Sequence, residues 1–69
     1  MDASKKVRML MAAHDLTGSK LADKAGMTQS NLSKKIKNNT FSINDMNKIA
    51  EATGAKFEGF FVLEDGTRI

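Results

Sequence analysis

The sequence predicts a mainly α domain, with four short helices in a compact bundle followed by a β-strand or short β-hairpin. Three observations predict it. Apolar residues recur at helical spacing in four successive segments between about residues 4 and 54. Gly26, the pair Asn38-Asn39 and Gly54 fall where three of those segments would end, and glycine and asparagine tolerate the left-handed backbone that closes helices. The tail "KFEGFFVLEDGTRI" then changes period and concentrates aromatic and β-branched residues, which favours strand. At 69 residues the chain has the size of one domain, 1–69, with the bundle at about 4–54 and the strand or hairpin at about 56–69.

The first helix is expected at about 4–14, where Val7, Leu10, Met11 and His14 follow the i, i+3, i+4, i+7 pattern; Ser4 or Asp2 could cap it. The second is expected at 18–25, with Thr17 as N-cap, Leu21, Ala22 and Ala25 inward, and Gly26 closing it. At about two turns it cannot be stable alone and must be held by packing. The third follows an N-cap at Thr28, starts at Gln29, turns Leu32 and Ile36 inward, and ends at Asn38-Asn39. Met27, just before the cap, could fold back onto the first turn. The fourth is expected at 43–53, with Met46, Ile49, Ala50 and Thr53 inward. Ser42 and Asp45 resemble a capping box, with Asp in place of the usual Glu. Leu21, Ala22, Leu32, Ile36, Met46, Ile49 and Ala50 form the expected core.

In the tail, Asp65-Gly66 is a two-residue hairpin signal of the type I′ kind. It predicts Glu64 opposite Thr67, Leu63 opposite Arg68 and Val62 opposite Ile69. Both faces of the first strand carry large apolar side chains. One can cover the helices, and a second subunit would cover the other. Phe60, Phe61, Val62 and Leu63 are the expected dimer interface.

Composition narrows the function. A domain this small buries only about 60% of the surface its unfolded chain exposes, so its own core is marginal. Without cysteine there is no disulfide and no thiolate metal site, and a partner chain is the remaining support. With one histidine, no cysteine and no tyrosine, no catalytic constellation can be assembled. His14 reads as a boundary residue of the first helix. Gly18-Ser19-Lys20 and Gly54-Ala55-Lys56 lack the frame of a phosphate-binding loop. Neither an enzyme, nor a cofactor, nor a metal is expected. No apolar run is long enough for a membrane span, and the N-terminus has no unbroken signal-peptide core, so a cytoplasmic protein is the expectation.

The net charge of +3 is unevenly spread. Residues 24–44 hold four lysines and no acid, whereas 49–69 hold four acids against Lys56 and Arg68. A basic centre suits a polyanion. Its outer face on the third helix offers Gln29, Ser30, Asn31, Lys34 and Lys35. A short helix, a turn at Gly26 and a helix with such a face is the organisation of a helix-turn-helix. Glutamine and asparagine can pair bidentately with adenine, lysine can donate to guanine, and serine can serve either. The free N–H groups of a helix start suit phosphate.

The stretch "LTGSKLADKAGMTQSNLSKKIKNNTFSINDMNKIAEATGA" resembles the phage-repressor and Cro-like helix-turn-helix family, the XRE type. The pieces that carry the likeness are Leu16-Thr17, Leu21-Ala22, Gly26, Thr28-Gln29-Ser30, Leu32-Ser33, Asn38, Ile49-Ala50 and Gly54, over roughly residues 5–55. The resemblance implies a bundle of four or five helices with the third as recognition helix. It implies base reading by Gln29, Ser30, Asn31 and Lys34. It implies phosphate contact by Thr17, Thr28, Lys35, Lys37, Asn38 and Asn39. Two departures stand out. Gly18 occupies a position where the family often has a bracing glutamine. The strand-like tail is similar to Cro-type endings rather than to the usual fifth helix, which favours a sheet-mediated homodimer. The expected function is a dimeric transcriptional regulator, a repressor, binding double-stranded DNA at half-sites about 34 Å apart. Rival readings are a protein-interaction module, including an antitoxin whose acidic tail grips a basic partner, and a non-specific architectural DNA binder.

Overall fold

The computed structural model describes residues 2–69. Four helices, α1 (Ala3–Ala13), α2 (Gly18–Ala25), α3 (Gln29–Asn38) and α4 (Ile43–Ala52), are followed by two short strands, β1 (Lys56–Phe57) and β2 (Phe61–Val62). The architecture is the mainly α bundle with a small C-terminal sheet that the sequence predicts, within a residue or two at each boundary.

The helices start and stop by one repeated chemistry. Asp2, Thr17, Thr28 and Ser42 each precede a helix and accept, through the side chain, the N–H three residues on: Lys5, Lys20, Asn31 and Asp45. Each bond satisfies one of the donors a helix start leaves free. At Ser42 the box is closed, because the Asp45 carboxylate accepts the Ser42 N–H at 3.0 Å in return. Each helix ends on a left-handed residue, at Asp15, Gly26, Asn39 and Gly54. The residue after it reaches back: Leu16 N–H to Met11 O, Met27 to Ala22, Thr40 to Lys35 and Ala55 to Ala50, at 2.8–3.1 Å. These are Schellman closures. Three of the returning residues are apolar, and Leu16, Met27 and Ala55 all pack into the core.

Packing ties the elements together. α2 lies on both α3 and α4, α1 lies on α3, and α4 lies on β1. Val7, Leu10, Leu21, Ala22, Leu32, Met46, Ile49, Ala50 and Phe61 are buried together, with Ile36, Met27, Met11 and Leu63 half-buried around them. Ile36 is therefore a core-edge residue. His14 sits half-buried at the end of α1, and its Nε2 has no hydrogen-bond partner among the described residues.

The tail differs from expectation in two ways. The run 57–63 is not one strand. A turn at 58–60, with Gly59 at φ 82° and Glu58 N–H bonded to Phe60 O, folds β1 back on β2. Phe57 and Phe61 then face each other across the pair, ring centroids 5.4 Å apart. The second difference is register. Phe61 and Ile69 exchange backbone bonds of 3.0 and 2.9 Å, Val62 lies opposite Arg68, and Leu63 N–H bonds Thr67 O at 2.8 Å. The pairing is one residue out of the predicted register. A two-residue type I′ turn needs positive φ at both Asp65 and Gly66, and only Gly66 has it. The chain takes a three-residue loop instead, closed by Gly66 N–H on Leu63 O and by Thr67 N–H on the Asp65 carboxylate.

Phe61 is 0% exposed within a single chain, and Leu63 packs on the same core. Of the four residues expected at a dimer interface, Phe61 is thus buried in the monomer's own core and Leu63 packs half-buried on the same side, because alternate residues of a strand point to opposite faces. Phe60 and Val62 are half-buried on the outward side, and Arg68 lies 5.1 Å over the Phe60 ring.

Candidate nucleic-acid interface

α3 is anchored along one side only. Leu32 is buried and Ile36 half-buried, whereas Gln29, Ser30, Asn31, Ser33, Lys34, Lys37 and Asn38 are exposed. No hydrogen bond within the described residues occupies the side chains of Gln29, Ser30, Asn31 or Lys34. The four residues expected to read bases thus lie on one free face at the start and middle of the helix. Beside that start, Ser19, Lys20, Asp23, Met27 and Gln29 line an open notch between α2 and α3. Gly18 opens α2 with space around it, since a Cβ there would meet only the Met11 methyl at 4.0 Å.

The residues expected at phosphates divide into two groups. Lys37 and Asn38 are exposed, and their side chains make no hydrogen bond among the described residues. Thr17 and Thr28 are exposed, with their hydroxyl oxygens accepting the N–H of Lys20 at 3.2 Å and of Asn31 at 3.1 Å. Each hydroxyl keeps a proton to donate. Lys35 and Asn39 make contacts within the protein. The Lys35 ammonium lies 2.8 Å from the Asp45 carboxylate, and the two side chains are 30% and 13% exposed. The Asn39 side-chain oxygen accepts the Ser4 N–H at 2.9 Å, and the Ser4 hydroxyl donates to Ile36 O at 2.6 Å.

Two residues whose role sequence patterns missed therefore hold α3. Ser4, in the first turn of α1, satisfies a carbonyl at the end of α3 and is in turn capped by Asn39. Asp45 grips Lys35 from the start of α4 while closing its own capping box. Burial alone would push the Asp45 carboxyl up, but hydrogen bonds from Lys35 and Ser42, together with the Lys35 charge, hold it below the usual aspartate value. The capping box was visible as Ser42-x-x-Asp45. The ion pair joins residues ten apart in different helices, a spacing that no periodic pattern marks.

A short helix braced behind a second helix, with the second one's polar and acid-free face left open, defines a helix-turn-helix domain. The chain belongs to the Cro/C1-type HTH DNA-binding domain family, whose model matches residues 6–66. No curated protein and no solved structure matches the chain significantly. Among the described residues no helix is long and apolar enough to cross a membrane.

Proposed function

We propose that the protein is a dimeric, sequence-specific transcriptional repressor that reads the DNA major groove with α3 and carries no catalytic activity. The observation that carries this reading is the free, acid-free face of Gln29, Ser30, Asn31 and Lys34 on a helix whose other side is fixed in the core. Such a face can offer donors and acceptors to base edges without repelling the backbone. On this reading Lys37, Asn38 and the hydroxyls of Thr17 and Thr28 position the helix on phosphates. Phe60 and Val62, on the outward side of the sheet, are the apolar residues left for a second subunit. A protein-binding role for the α3 face finds no support in its composition, because interface hot spots favour Trp, Tyr and Arg and it has none.

Selection of bound duplexes from a random DNA pool at physiological salt tests the reading. The expected outcome is a near-palindrome whose half-sites lie about 34 Å apart centre to centre. Gln29→Ala or Lys34→Ala should relax base preference at one position per half-site, at a cost of about 1–3 kcal/mol for each lost bidentate pair. A pool that yields no preferred sequence would overturn specific recognition.

A further inference from the structure

Of the three lysines on α3, one is paired and the other two have no ion-pair partner among the described residues. Lys34 and Lys37 are exposed. Lys35 is drawn toward α4, where its ammonium meets an Asp45 oxygen at 2.8 Å. That same oxygen accepts the Ser42 N–H at 3.0 Å, and the Asp45 N–H donates to the Ser42 hydroxyl at 3.0 Å. The carboxylate is therefore fixed in place by the capping box and cannot follow Lys35 outward. Should Lys35 swing to a phosphate, it would leave behind a carboxylate that is only 13% exposed. An unpaired, largely buried charge is costly, and a pair in this setting is screened less by salt than exposed charges are.

We infer that Asp45 sets how tightly the recognition helix binds DNA irrespective of sequence, by withholding Lys35 from the phosphates. The inference rests on the DNA-binding reading above. The pair carries no net charge, so it releases no counterions and adds nothing to the salt dependence of binding. Lys34 and Lys37 remain as the exposed cations of α3. Asp45 also links the far half of the recognition helix to α4, so one side chain both positions the helix and lowers the charge it presents.

The experiment measures binding of the full chain to a duplex of random sequence across a salt series. In Asp45→Asn the amide oxygen still accepts the Ser42 N–H, but the negative charge that holds Lys35 is gone, which frees the lysine to move to a phosphate. The variant's slope of log affinity against log salt should steepen by about 0.9, an extra loss of roughly 3.5-fold for a fourfold rise in salt. The double change Lys35→Met with Asp45→Asn should return the slope to that of the unaltered protein. An unchanged slope in Asp45→Asn would overturn the inference, as would a double variant about 0.9 shallower than the unaltered protein, since Lys35 would then have been on a phosphate all along. The unaltered protein offers a check that needs no variant. With its lysine side-chain nitrogens labelled, duplex addition should shift the Lys34 and Lys37 signals and leave Lys35 in place. A Lys35 signal that moves with them would overturn the inference even if Asp45→Asn fails to fold. If the unaltered protein binds no duplex at low salt, the DNA reading itself fails and takes this one with it.

Discussion

Asp45 carries more of the structure than its size suggests. One oxygen accepts from Ser42 and from Lys35, while its own N–H is capped by the Ser42 hydroxyl. These partners hold its folded carboxyl below the ordinary value of 3.8. A depressed carboxylate contributes stability that is fully present above the unfolded value and is lost as pH falls through the folded one. The unaltered protein should therefore lose urea resistance as pH drops below about 3.8, relative to an Asp45→Asn variant that has no carboxylate to titrate. Parallel unfolding midpoints for the two proteins across that range would remove Asp45 from the acid response. The capping half of this role is written in the sequence, because Ser42 and Asp45 are three residues apart. The Lys35 half is not, because the partner comes from another helix.

At the scale of elements, the recognition helix is held at its end by α1. Ser4 is buried and donates to Ile36 O, and Asn39 receives the Ser4 N–H. Two helix termini with opposite needs satisfy one another: the start of α1 has spare donors, and the end of α3 has spare acceptors. Ser4→Ala removes the hydroxyl and leaves that carbonyl with one partner fewer. It should cost about 1–2 kcal/mol in chemical unfolding. It should also speed amide exchange in the last turn of α3 more than in α2. Equal acceleration throughout would mean that Ser4 supports the core in general and not this joint. The N-caps at Thr17, Thr28 and Ser42 and the left-handed ends at Gly26, Asn39 and Gly54 were legible, because each is decided by residues within five positions of one another; for α1 the sequence left Ser4 and Asp2 open, and Asp2 takes the cap. Asp15, the fourth left-handed residue, was missed, since aspartate is a weaker marker of that conformation than glycine or asparagine.

For the molecule as a whole, the C-terminal sheet is first a lid on the core. Phe61 is fully buried in one chain, while Phe60 and Val62 face out beside Arg68. The two aromatic neighbours should thus separate in experiment. On the proposed dimer, Phe60→Asp should shift sedimentation toward monomer with helicity intact. Phe61→Ala should instead cost about 3–5 kcal/mol of stability, the usual penalty for emptying a buried aromatic site. Retention of the dimer in Phe60→Asp would move the interface away from the sheet. The strand signal in the tail was correct in kind, but its length and register were not. Gly59 breaks the run, and only Gly66 of the Asp65-Gly66 pair takes positive φ. Alternation along the strand puts Phe61 and Leu63 toward the core and Phe60 and Val62 on the other side.

The sequence by itself determined where the helices begin and end, which stripe of each is apolar, and which face of α3 is polar and free of acids. These depend on hydrogen bonds and periodicities that span a few residues, so local chemistry suffices. Tertiary structure alone decided that Lys35 and Asn39 are engaged within the protein, that Ser4 and Asp45 brace the recognition helix, and that Phe61 belongs to the core. Those outcomes join residues 10 and 35 positions apart, or turn on which face of a strand meets the core. They exist only once helix packing has brought the partners within hydrogen-bond reach.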